Sequence, residues 1–325
     1  MKLLVLGGTK FLGRATVESA LERGHEVTLF NRGETNAELF PEAEKLRGDR
    51  TEDLSVLKGR EWDAVLDSAG YIPAVVRASA EALADATPYY LFVSSVSVYA
   101  DQGRRNDEES PLAGLGDEPD DRLTEDFSNY GALKALCERA AREVYGERCA
   151  VVRPGLIVGA HDPTGRFTYW PHRVARGGEV LAPAPPGRQV QFVDVRDLGD
   201  WFVELMEQRT SGAFNATRPG LAFEELLDTC REVADSDATF TWVPDALLAE
   251  HEVGEWMELP LWLNDPGSAG MLDADVSLAI EAGLTFRPLT DTVRETLDLA
   301  EARGIDPDPI RRDQPRWERA AATYE

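Results

Sequence analysis

Cysteine and lysine are both scarce in this 325-residue chain, with three of the first and five of the second. Cys137, Cys149 and Cys230 have no metal-ligand spacing, and any pairing leaves one thiol over. That suits reduced intracellular thiols rather than a secreted disulfide framework. The four histidines are scattered, so no metal site is expected. No apolar run approaches the roughly 18 residues of a membrane span, and a strand starting at residue 2 leaves no room for a signal peptide. Basic charge is short as well. With 34 Lys and Arg against 59 Asp and Glu, the formal charge is −25, and such a surface repels phosphate backbones and anionic bilayers. The expectation is a cytoplasmic protein with a small-molecule substrate, without nucleic-acid or membrane partners. No internal repeat is visible.

Hydrophobic residues make up 43% of the chain, enough for one large α/β domain or for a domain with an appended lobe. The opening stretch M-K-L-L-V-L-G-G-T-K-F-L-G organises the rest. Leu3 to Leu6 is apolar without alternation, as in a strand buried on both faces of a parallel sheet. Gly7 and Gly8 permit a tight turn, and Gly13 lets the following helix pack closely. Phe11, Leu12, Ala15, Val17, Ala20 and Leu21 form a helical stripe, so a strand hands over to a helix N-terminus, which favours a pyrophosphate. Thr9 and Lys10 lie in the turn, where Lys10 can face a phosphate.

A second strand, Glu26 to Phe30, ends in Asn31-Arg32-Gly33. An acidic residue there would hold the ribose of NAD, whereas Arg32 suits the 2′-phosphate of NADP, so NADP is favoured and NAD remains open. Asp49, next to Arg50 in the segment Gly48 to Arg50, is set either to hold the adenine edge or to cap the short helix around Leu54 and Leu57. Asp63 to Asp67 is another buried strand, and Ser68, Ala69 and Gly70 let a cofactor approach its end. A helix near Ala74 to Ala86 leads to the strand Tyr89 to Ser95, which ends in hydroxyls where open α/β sheets bind ligands.

Acidic residues, prolines and glycines from Asp101 to Asp126 predict a mobile loop. Ser128 or Asn129 is placed to cap the next helix, whose buried stripe is Leu133, Leu136, Ala140 and Val144. Tyr130 and Lys134 lie four apart and share a face. Chance expects about 0.12 Tyr-x-x-x-Lys pairs in a chain of this composition, which favours a catalytic over an incidental pair. Beyond the strand Ala150 to Val158, broken by Pro154, comes a patch containing Arg166, Phe167, Tyr169, Trp170, His172 and Arg173. It would either line a substrate pocket, with Arg166 or Arg173 meeting an anionic group, or only pack a second lobe. Helices are expected near Phe223 to Val233, Asp275 to Ala282 and Thr290 to Arg303.

Together, G-G-T-K-F-L-G at 7 to 13, G-D-R-T-E-D at 48 to 53, S-S-V-S-V-Y at 94 to 99, Y-G-A-L-K at 130 to 134, R-P-G-L-I-V-G at 153 to 159 and F-V-D-V-R-D-L at 192 to 198 resemble the extended short-chain dehydrogenase/reductase superfamily, its epimerase/dehydratase-like branch. The resemblance implies a Rossmann fold, a doubly wound parallel sheet, with a smaller C-terminal substrate lobe. Residues 1–160, rejoined by about 190–216, would hold the dinucleotide, and 161–325 mainly the substrate. By the same resemblance Ser95 orients the substrate oxygen, Tyr130 is the acid/base, and Lys134 binds ribose and lowers the tyrosine pKa. Pro154 is expected among the cofactor-binding residues, and Val96, Arg166, Tyr169 and Trp170 among those that meet the substrate. A homodimer is implied too. Three departures stand out. Lys10 replaces the middle glycine, as in a subset that includes chloroplast stem-loop RNA-binding relatives. Val96-Ser97 replaces the Asp-Glu of sugar dehydratases, and Val190 stands where epimerases carry an arginine, with Arg188 out of register. The leading expectation is an NADP-preferring oxidoreductase of a small carbonyl or alcohol. A nucleotide-sugar epimerase with retained NAD and a non-catalytic nucleotide- or RNA-binding protein are the alternatives.

Overall fold

A computed structural model describes residues 1–116, 123–124, 127–256 and 258–303. Strands β1 (Lys2–Leu6), β2 (Glu26–Asn31), β3 (Glu44–Arg47), β4 (Ala64–Asp67), β5 (Tyr90–Val93), β6 (Cys149–Pro154) and a final strand Gly212–Ala216 form one sheet. Its order is Gly212–Ala216, β6, β5, β4, β1, β2, β3, and every neighbour pair is parallel. Apolar runs without alternation follow from burial on both faces. The period-two pleat still sorts the side chains. Leu3 and Val5 pack with Val17, Leu198 and Trp201 on one face, and Leu4 and Leu6 with Val76, Cys137 and Ala140 on the other.

Helix α1 (Phe11–Glu22) covers the first face with the helix Val195–Gln208, and α2 (Pro73–Leu83) covers the second with α3 (Tyr130–Tyr145). A separate apolar cluster gathers Phe167, Trp170, Phe192, Phe223, Leu226 and Trp262 beyond the sheet. Beside it the strand Glu179–Pro183 pairs in parallel with Thr239–Val243. Among the described residues no helix is long and apolar enough to cross a membrane, and no group of His, Cys, Asp or Glu could hold a metal ion.

Strand β3 has no apolar signature in the sequence, since Glu44–Arg47 exposes two of its four residues. It forms because β2 offers an edge. The expected mobile loop from Asp101 is pinned at its start: Asn106 bridges Ala274, the Gln102 carbonyl accepts from Gly270 N at 2.7 Å, and Arg105 pairs with Asp273 and Asp275. Its residues 117–122 and 125–126 lie outside the described ones. Asn129 occupies the cap position of α3, but its side-chain oxygen accepts from Thr124 instead of a helix N–H.

A buried ion pair joins α3 to β6. Arg153 Nη2 donates to Glu138 Oε2 at 2.7 Å with both side chains 3% exposed, and Arg153 Nη1 also donates to Tyr99 Oη at 3.1 Å. Glu138→Leu strands a buried guanidinium and should cost about 3–5 kcal/mol in urea unfolding, most of which the double change Glu138→Leu, Arg153→Met restores. A cost under about 1 kcal/mol for the single change would mean that water reaches the pair.

Candidate active site

Strand order reverses between β1 and β4, which opens a crevice at the carboxyl ends of the strands. The cleft there has a volume of about 780 Å³ and runs from the β1–α1 turn to Tyr130 and Lys134. Gly7 and Gly8 hold φ of +109° and +90°, and a Cβ on Gly13 would lie 3.1 Å from the Gly8 backbone. Helix α1 follows Lys10 without a side-chain cap, so its leading N–H groups face the cleft beside Thr9, Phe11 and Leu12. Ser68 Oγ donates to Leu6 O at 3.0 Å and packs against Gly7 and Gly13, with Ala69 beside it. A turn bare of side chains and an uncapped helix end together fit a pyrophosphate.

At the end of β2, Asn31 braces the turn. Its Nδ2 donates to Gly7 O at 2.8 Å, and its Oδ1 accepts from Gly33 N and from Arg47 Nη1. Arg32 stands at the rim, 62% exposed and paired with Glu34 at 3.0 Å. Asp49 lines the cleft, but its carboxylate accepts from Thr51 N and Oγ1 and is thereby held below its ordinary pKa.

Of three further expected cofactor residues, Arg50 lines the cleft with its charge engaged, and Gly70 and Pro154 do not line it. The Arg50 guanidinium turns inward, donating to both Asp67 oxygens at 2.7 and 2.8 Å and to Ser79, because the buried Asp67 carboxylate needs a partner. Gly70 has no room for a Cβ against Phe92 and Val76, and it gives the site only its carbonyl. Pro154 is buried as the last residue of β6, paired with Ala216, and does not line the cleft.

At the far end, Lys134 Nζ is buried and donates to Gly70 O at 2.8 Å and Val93 O at 2.5 Å, lying 4.4 Å from the Phe92 ring centroid. Burial pushes its pKa down to about 8. Tyr130 is pushed up to about 12, chiefly by burial and by neighbouring Tyr71, while a hydrogen bond with Ser95 works the other way. Lys134 is not among the groups that chiefly set the Tyr130 pKa, where burial and Tyr71 outweigh the hydrogen bond with Ser95. Ser95 also accepts from Ser97 N at 3.1 Å. Ser94 Oγ is taken by Glu138 at 2.5 Å, which leaves Ser95 as the hydroxyl that faces Tyr130. Gly131 lets α3 start here, because a Cβ on it would lie 2.0 Å from the Ser97 carbonyl oxygen.

Of the substrate candidates, Val96 packs with Val98, Tyr99 and Ala135, and Tyr169 and Trp170 are buried in the apolar cluster beyond the sheet, Trp170 Nε1 donating to Pro260 O. Hydrophobicity won over the pocket reading for all three. Arg173 donates to the Gly177 and Glu179 carbonyls. Arg166 stays at the site, within electrostatic reach of Tyr130. Sequence reasoning missed Tyr71, whose ring centroid is 6.4 Å from that of Tyr130 and 5.2 Å from Lys134 Nζ. Its place directly after Ser68-Ala69-Gly70 was the available signal.

A model of the NAD dependent epimerase/dehydratase family matches residues 3–87 and 75–216. The chain is 25% identical over 250 residues to the chloroplast stem-loop binding protein of 41 kDa b of Arabidopsis thaliana, covering 70% of this chain and 62% of that relative's length. In fold it is similar to the Bordetella bronchiseptica enzyme WbmH in complex with NAD+, with TM-score 0.68, 17% identity and coverage of 94% and 99% of the two chains. A UDP-glucuronic acid 4-epimerase from Bacillus cereus in complex with NAD gives TM-score 0.66 and 15% identity, covering 93% and 99%.

With a folded-state pKa below its unfolded value, Lys134 loses its proton in the folded chain first. Its contribution to stability therefore rises as pH climbs from about 8 toward the unfolded value. The melting temperature of the native chain should gain on that of Lys134→Met between about pH 7.5 and about pH 10, and a constant gap would refute the depressed pKa.

Proposed function

The chain belongs to the NAD dependent epimerase/dehydratase family, and from that premise we propose an oxidoreductase that moves a hydride between a nicotinamide dinucleotide and a carbonyl or alcohol carbon of a small organic substrate. Membership supports an enzyme of the short-chain dehydrogenase/reductase superfamily. The observation that carries the proposal is the placing of Tyr130 and Lys134, one helical turn apart, in the same cleft as the Gly7–Gly13 turn. When bound, the dinucleotide supplies or takes up the hydride. Tyr130 exchanges the proton of the substrate oxygen, and Ser95 orients that oxygen through its hydroxyl. An ammonium has three donors, so Lys134, with two given to carbonyls, keeps one for a ribose hydroxyl. Burial holds the Tyr130 phenol in its protonated form at neutral pH, the form that can give a proton to a substrate oxygen.

NADP is the preferred form in this reading. Support comes from β2, which ends without a carboxylate, and from Arg32 and Arg47, which flank the Asn31 turn. The Arg32–Glu34 pair is exposed and weak, so a 2′-phosphate can displace the carboxylate. The fold likeness to the NAD-bound 4-epimerase supports a second reading, a nucleotide-sugar epimerase that retains NAD. Against a sugar-nucleotide phosphate, Arg188 is already held by both Asp245 oxygens and by the Ala184 and Leu263 carbonyls. An RNA-binding role would have to overcome the −25 charge.

Titration with NADPH and NADH, followed by nicotinamide fluorescence, should show freely exchanging NADPH bound at least about tenfold tighter, with Arg32→Ala closing the gap. Retained NAD that resists exchange would move the assignment to the epimerase. Tyr130→Phe should bind the dinucleotide normally and lose more than about tenfold in turnover, and retained turnover would remove Tyr130 from the proton transfer.

A further inference from the structure

We propose that the substrate carries an oxyanion, a carboxylate or a phosphate, and that the Arg166 guanidinium receives it beside Tyr130. This rests on the hydride-transfer reading and adds to it the charge class of the substrate.

Arg166 is held at one edge and one face, and its fork is left open. The Thr164 hydroxyl donates to Asp162 Oδ1 at 2.7 Å and accepts from Arg166 Nε at 3.2 Å, so a short relay inside the loop fixes the Nε edge. The guanidinium carbon lies 5.1 Å from the Trp256 ring centroid, which covers one face. Among the described residues, neither terminal amino group has a hydrogen-bond acceptor or an ion-pair partner. That is unlike Arg50, Arg153 and Arg188, each of which holds a carboxylate.

The acid that interacts electrostatically with Arg166 is Asp162, with no ion pair formed between them among the described residues. Its Oδ1 is engaged by Thr164, and its Oδ2 is buried without a hydrogen-bond partner. Burial pushes that carboxyl up, while Arg166 is pushed down by its own burial. Pro163, inside the same loop, lines the cleft with Tyr130 and Lys134. Arg173 and Arg188, the other arginines considered for an anion, are taken by two carbonyls and by Asp245. A planar guanidinium with two unclaimed amino groups, stacked on an indole and next to a proton donor, matches an oxyanion in bidentate fashion. The reacting carbonyl then lies within a few bonds of that anion, so that Tyr130 and Arg166 hold one substrate at two points.

The test is calorimetric titration of the full chain, loaded with NADPH, with oxalate and separately with inorganic phosphate. It compares the native chain with Arg166→Gln and Arg166→Lys, their folding checked by thermal melting. The native chain should bind at least one of these anions. Arg166→Gln should weaken that binding at least about tenfold and Arg166→Lys restore part of it, with dinucleotide affinity unchanged in both. No anion binding by the native chain, or equal binding by Arg166→Gln, overturns the proposal. Matched carbonyl compounds with and without a carboxylate give a second readout: Arg166→Gln should raise KM for the acids by a larger factor than for their neutral counterparts, and an equal effect on both also overturns it. Failure of the native chain to bind either dinucleotide strikes the hydride-transfer reading instead, while the oxalate and phosphate titrations, run without the dinucleotide, still decide Arg166.

Discussion

Lys134 exchanges bulk water for two carbonyl oxygens, Gly70 O and Val93 O, and that exchange ties α3 to the ends of β4 and β5. A buried ammonium is expensive, so the surrounding backbone must present acceptors at the right depth. The packing of Gly70 against Phe92 and Val76 sets one of them. One turn along the helix, Glu138 takes Ser94 and Arg153, and Arg153 reaches Tyr99, whose hydroxyl donates to Asn215 on the edge strand. A column of polar contacts thus runs beside the cleft from α3 to the last strand of the sheet. It fixes the helix in register, and with it the residue at the helix start.

Local chemistry was legible in the sequence. The β1–α1 turn could be read because glycine at positive φ, an apolar strand and a helical stripe all point the same way within thirteen residues. Tyr130 and Lys134 could be read because helical spacing alone puts them on one face. Depended on from afar, the other parts were opaque. Arg50 reads as a cofactor residue beside Asp49 and does line the cleft, but that its guanidinium also neutralises the buried Asp67 carboxylate on another strand shows only in the folded sheet. Trp170 and Tyr169 carry polar tips that suit a pocket, but the area they bury decides their place in the core. Strand β3 exists because β2 has an open edge, a fact about the sheet and absent from the residues Glu44 to Arg47.

An excess of carboxylates also shapes how arginine is used. Most guanidiniums inside the molecule meet an acid, as Arg153, Arg188 and Arg287 do. Where a guanidinium stacks on an indole instead, a chain so rich in acids has left it without a carboxylate of its own. Negative potential over the surface slows the approach of any anion, so recognition of one must come from short-range geometry at the end of the cleft.

Gly131 brings the first turn of α3 onto the Ser97 carbonyl with no side chain between. Main chain against main chain is a contact that rotamer changes cannot loosen. The spacing of the two backbone segments that carry Ser95 and Tyr130 is therefore set before any ligand arrives. By the same token, exchanging side chains around the cleft is free to alter which molecules enter, while the approach of these two backbone segments passes unchanged from one such variant to the next.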